Sequence, residues 1–190
     1  MAVYTITQGE KITASILNTY AMNSGLVYIG QGSFSAAATF DITGFSSSYF
    51  SYRVIMNGRR VDTVGNATLT AQLVSGTTVR NTGYYAAAGY SNYLGAQGNK
   101  ANTNNGASFY CGNFDSGLGS GVAGGFSTFD CMGLTSSVFV AQGTAWDPGN
   151  AQQIYWGTTH NVSETNDKLR VTASAGTISG TWRLYGYREA

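Results

Sequence analysis

Two periods divide this chain. Over residues 11–25, KITASILNTYAMNSG, the apolar residues recur at helical spacing. Ile16, Leu17 and Tyr20 share one face, with Ile12 and Ala21 beside it. Thr13 is placed to cap the first turn, and Ile12 and Leu17 occupy the two positions of a hydrophobic staple. Asn23-Ser24-Gly25 supplies the stop. A helix of about ten residues is some 15 Å long and marginal by itself in water. It therefore predicts docking, on its own domain, on sister chains or on another protein.

From Leu26 onward the period is two. Tyr52, Val54 and Met56 alternate with Arg53, Ile55 and Asn57. The same alternation places Leu69, Ala71 and Leu73 on one face, as it does Leu169, Val171 and Ala173, and then Trp182 and Leu184. Such segments are half-buried antiparallel strands. Turns are expected at Asn57-Gly58, Ser75-Gly76, Asp147-Pro148-Gly149-Asn150 and Ala175-Gly176. Residues 82–106, rich in Tyr, Asn, Gly and Ala, and the glycine-rich residues 112–125 read as long loops or irregular connections. The expected architecture is all-β, an antiparallel, jelly-roll-like β-sandwich over 26–190. One short N-terminal α-helix in 1–25 precedes it as an anchor or assembly segment.

Composition sharpens this. Charged residues are 10% of the chain, against about 25% in ordinary soluble domains, and the net charge is +1. No basic footprint for nucleic acid exists, since Arg59-Arg60 is the sole basic pair and reads as a solvated hairpin end. Few lysines and one proline leave sheet edges without their usual protection. The edges must be closed, covered or paired, which predicts a symmetric oligomer or a larger assembly. No apolar run is long enough to span a bilayer, and the opening MAVYTITQGEK lacks the apolar core of a secretory leader. The expectation is a chain made in a cytoplasm, with no membrane partner.

Candidate chemistry is sparse. Cys111 and Cys131 lie in apolar-aromatic contexts without metal or redox spacing, and read as buried free thiols. His160 is the only histidine, reads as a strand-end residue, and has no nucleophile elbow to serve. Asp115, Asp130 and Asp147 lie near aromatic residues, so a paired-carboxylate glycosidase is the one enzymatic alternative. Neither glycine-rich stretch has phosphate-loop spacing. No catalytic residue, cofactor or metal site is assigned, and the expectation is a protein that is not an enzyme. The tyrosines Tyr84, Tyr85, Tyr90 and Tyr93, with Trp146, suit contact with a subunit or a receptor, since such rings join flat apolar area to a polar handle.

Three blocks carry a family resemblance. They are Gly-Glu-x-Ile-Thr-Ala-Ser-x-Leu-Asn at Gly9–Asn18, FDITGFSSSYFSYRVIMN at Phe40–Asn57 and VTASAGTISGTWRLYGYRE at Val171–Glu189. In this order they resemble the small tail-fibre and minor tail proteins of tailed bacteriophages; residues 60–165 carry no such likeness. The resemblance implies a virion structural protein, a β-sandwich that is often trimeric, attached to the particle and to other virion proteins by its N-terminal segment. Ile12, Ile16, Leu17 and Tyr20 would then face the virion or the sister helices, and distal loops would meet a host surface glycan or protein. No shaft repeat or heptad pattern is present, so a short knob fits better than a long fibre. A capsid decoration protein, a surface-glycan depolymerase and a lectin-like module are the alternatives.

Overall fold

The computed structural model describes residues 25–62, 65–116, 124–134 and 138–187. The predicted helix, with Ile12, Ile16, Leu17 and Tyr20, lies outside the described residues. Thirteen strands occur among them: β1 Leu26–Ala37, β2 Thr39–Thr43, β3 Ser51–Arg60, β4 Asn66–Ser75, β5 Thr78–Val79, β6 Tyr84–Asn92, β7 Gln97–Gly106, β8 Phe109–Asp115, β9 Gly125–Met132, β10 Val138–Asp147, β11 Gln152–Ser163, β12 Lys168–Ala173 and β13 Ile178–Tyr187. They form two antiparallel sheets. The larger runs β1-β13-β3-β9-β10-β11-β6-β7; the smaller runs β2-β12-β4, with β5 and β8 both paired to β4.

The chain is all-β and sandwich-like because alternation gives both sheets an apolar inner face. Tyr52, Val54 and Met56 point inward, as do Leu69, Ala71 and Leu73, Leu169, Val171 and Ala173, and Trp182 and Leu184. The four alternating segments thus form as expected. Within the smaller sheet β8 is buried along its whole length. Its Phe109 meets Phe139 and Trp156 of the large sheet at ring-centroid distances of 5.6 and 5.8 Å. Cys111 and Cys131 are buried free thiols in the same core.

Three of the four expected turns are present. Gly76 (φ 59°) and Gly176 (φ 66°) sit in left-handed backbone at the β4–β5 and β12–β13 reversals, where glycine carries no Cβ penalty. Residues 148–151 close β10 onto β11. Asn57-Gly58 is not a turn. Both residues lie inside β3, which continues through Arg59 and Arg60, so this pair is not a hairpin end either. Gly58 lies opposite Gly180 of β13, and a Cβ on it would stand 2.5 Å from Phe114 Cε2. The glycine is there so that a ring of the facing sheet can rest on the backbone. The expected long loop at 82–106 is also corrected: it forms the β6–β7 hairpin. Its alanines and glycines are small strand residues, and Asn92-Tyr93-Leu94-Gly95 alone makes the turn region. Of the expected loop at 112–125, Gly112–Asp115 completes β8 and Gly125 begins β9.

Candidate functional site: the outer face of the large sheet

One face of the eight-stranded sheet looks away from the core. Register places its side chains in rows that cross the strands. At one end stand Leu26, Tyr187, Ser51, Met132 and Val140, paired in turn from β1 to β10. Leu26, Met132 and Val140 are each about two-fifths exposed, at 39%, 43% and 44%. This apolar row starts where the chain enters β1 from residues 1–25.

The next row is polar. Tyr185, Arg53, Asp130, Gln142, Gly157 and Ala87 follow one another across β13, β3, β9, β10, β11 and β6. Arg53 donates two parallel hydrogen bonds to Asp130, Nε to Oδ1 and Nη2 to Oδ2, each 2.8 Å. Such a fork fixes both planes. Asp130 raises the Arg53 pKa further, against a smaller opposing effect of burial. The guanidinium lies 5.9 Å from the centroid of the Tyr187 ring. A third row carries Arg183, Ile55, Thr128, Thr144, Tyr155 and Gly89. Tyr155 is 50% exposed, because Gly157 follows it by two residues and Gly89 opposes it.

Three shallow depressions lie on this face. One of about 460 Å³ includes Met132, Val140 and Tyr187; one of about 470 Å³ includes Arg53, Asp130 and Tyr155; one of about 560 Å³ includes Ser91, Asn99 and Tyr155. The first two share Asp130 and Gln142, and the last two share Tyr155, so they join into one groove across the strands.

The tyrosines singled out in the sequence do not converge. Tyr84 is fully buried, which corrects its reading as a contact residue. Its hydroxyl accepts from Leu73 N (2.6 Å) and donates to Arg80 O (3.2 Å), tying β6 to the small sheet. Tyr85 faces outward at 37% exposure, and Tyr90 is half-buried against the core. Tyr93 is 80% exposed in the β6–β7 turn region. Trp146 is 44% exposed on the outer face, opposite Phe126. The sequence reading missed Arg53, Asp130, Gln142 and Tyr155 as one site. Each sits in the outward phase of its strand, but their proximity depends on the order of strands that are distant in sequence.

Of the three carboxylates weighed for glycan hydrolysis, Asp130 stands apart, whereas Asp115 and Asp147 share one buried surrounding: Asn66, which donates to Asp147, is the register partner of Asp115, and a Cβ on Gly149 would meet Asp115 Oδ2. Asp130 is on the outer face, held by Arg53. Asp147 is fully buried and accepts from Asn113 Nδ2 (2.7 Å), Asn150 Nδ2 (2.9 Å), Lys100 Nζ (3.1 Å) and Asn66 Nδ2 (3.2 Å). Asp115 is also buried, with Ser116 Oγ at 3.4 Å. His160 lies buried in β11, its ring nitrogens 3.0 Å from Thr82 O and 3.3 Å from Val162 O. Among the described residues no group of three or more His, Cys, Asp or Glu is arranged to hold a metal ion, and no helix is long and apolar enough to cross a membrane.

No protein-family model, curated protein or solved structure matches the chain.

Proposed function

We propose that this chain is a structural protein of a tailed-bacteriophage particle, a short appendage of the tail-fibre type. It works as a homo-oligomer, a trimer by the resemblance, and carries a jelly-roll-like sandwich on an N-terminal helical segment that seats it on other virion proteins. The observation that carries this reading is the apolar row of Leu26, Met132 and Val140, exposed at the end of the sheet where the N-terminal segment joins. Isolated apolar side chains on a surface are unremarkable, but Met132 and Val140 are register partners and share a row with Leu26 across Tyr187 and Ser51, which favours a contact with another chain. The place of Leu26 in this row sets the surface at the end of the sheet where β1 begins. The low charge fits the same picture, since a subunit held in a particle relies less on charge for its solubility.

Immunogold labelling of particles of the phage encoding this chain tests the reading. Gold at the tail or its appendages is the expected result. Gold distributed over the head would make the chain a capsid decoration protein, and purified particles free of the chain would overturn a virion role altogether.

A further inference from the structure

We infer that the groove across the outer face of the large sheet is a binding site for an uncharged glycan, with Tyr155 as its stacking platform. A site of this kind would give the host contact of the proposed appendage its ligand class, and to that extent it rests on that reading.

Four observations carry the assignment. Beyond the apolar row assigned above to a contact with another chain, the groove passes over six strands from β3 to β7, five interstrand steps of ~4.8 Å, or about 24 Å. That length suits a chain molecule rather than a small compact one. Tyr155 stands at its centre with bare backbone beside it. A Cβ on Gly157 would meet only Ala141 O, at 3.9 Å, and one on Gly89 only Gly98 O, at 3.5 Å. The ring is therefore reachable from the side, as stacking against the apolar face of a sugar ring requires. Flanking it are planar and hydroxyl groups of the kinds that bond sugar hydroxyls: the Arg53–Asp130 fork, Gln142 and Thr144 on one side, Ser91 and Asn99 on the other. Finally, among the described residues lining the groove only Arg53 and Asp130 are charged, and they neutralise each other. A polyanion finds no net positive charge here, and a polycation no net negative one. An uncharged, hydroxyl-rich polymer is the complementary occupant.

The test uses the isolated full chain on a printed array of neutral and anionic oligosaccharides, so it does not depend on where the chain sits in a particle. Wild type should bind neutral glycans. Tyr155→Phe should retain binding, whereas Tyr155→Ala and Gln142→Ala should each lose about tenfold. Thr181→Ala, exposed on the same sheet outside the groove, should bind as wild type does. Thermal midpoints of the variants establish that they are folded, as expected for changes at exposed positions. No bound glycan, binding confined to anionic glycans, or binding that Tyr155→Ala leaves unchanged would overturn the site. So would a fall in solution mass on Tyr155→Ala, because a second copy of the chain would then be what fills the groove. A positive array with unlabelled particles would keep the site and remove the virion.

Discussion

Asp147 holds a carboxylate where no water reaches it, and Lys100 supplies the one positive charge bonded to it. Around it three asparagine side-chain amides and the Asn150 backbone N–H complete the set of donors among the described residues. Removing one member of a buried ion pair leaves an uncompensated charge, whereas an exposed pair is worth little. Lys100→Met should therefore cost about 3 kcal/mol in urea unfolding, and Arg53→Met, whose ion pair is some 40% exposed, under about 1 kcal/mol. The thiols give a second residue-scale expectation. Burial pushes Cys111 and Cys131 well above the ordinary thiol range; it also raises Tyr110, and Tyr84 to about 12. In the unfolded chain these groups ionise at their ordinary values, about 8.5 for a thiol and 10 for a phenol. The folded state then binds more protons than the unfolded one, so stability must fall as pH rises past about 8.5. Urea midpoints at pH 7, 9 and 10 should decline in that order. A thiol reagent at pH 8 should label neither cysteine until the protein unfolds.

Among the elements, glycine is what sequence reading handled least well. Asn57-Gly58 has the form of a hairpin turn, yet it lies within β3 because Phe114 needs the space above Gly58. That ring comes from the other sheet, and local patterning does not contain it. The strands with large alternating residues were legible for the opposite reason: Val54, Leu73 and Leu184 fix their own facing by their bulk. In β6 and β7 the inward positions are held by alanine and glycine as well as by Tyr84 and Tyr90, so the period is weak and the segment resembles a loop. Two substitutions separate these glycine roles. Gly58→Ala overpacks the seam between the sheets and should destabilise by about 1–3 kcal/mol. Gly157→Val adds a β-branched side chain where space is open, and should stabilise by about 0.5–1 kcal/mol. Thermal unfolding of the pair gives opposite signs if the two glycines serve as described.

At the scale of the whole molecule, exposed apolar area and free sheet edges bear on assembly. β1 and β7 are the edges of the large sheet among the described residues. If the row beside Leu26 is a subunit contact, Val140→Lys should lower the mass measured by light scattering and leave the thermal transition of the domain nearly unchanged. The same mass after the substitution would move the contact elsewhere. This scale was the least legible from sequence. Class and inward residues followed from alternation, but strand order did not. The groove depends on that order, since Arg53 and Asp130 are 77 positions apart and Gln142 and Tyr155 come from two further strands.

The pairing of β1 with β13 has a consequence in time. The first described strand of the large sheet takes its neighbour from the last one made, about 140 residues later. A ribosome adding roughly 5–20 residues per second needs about 7–30 s to cover that interval. Throughout it Leu26–Ala37 has no partner of its own sheet, and the hydrogen-bonding edge that β13 will occupy stands open. Many such chains grow side by side on one message. The interval in which a nascent strand can pair with the wrong copy is therefore set by translation speed, and slower synthesis should lower the soluble yield of this protein.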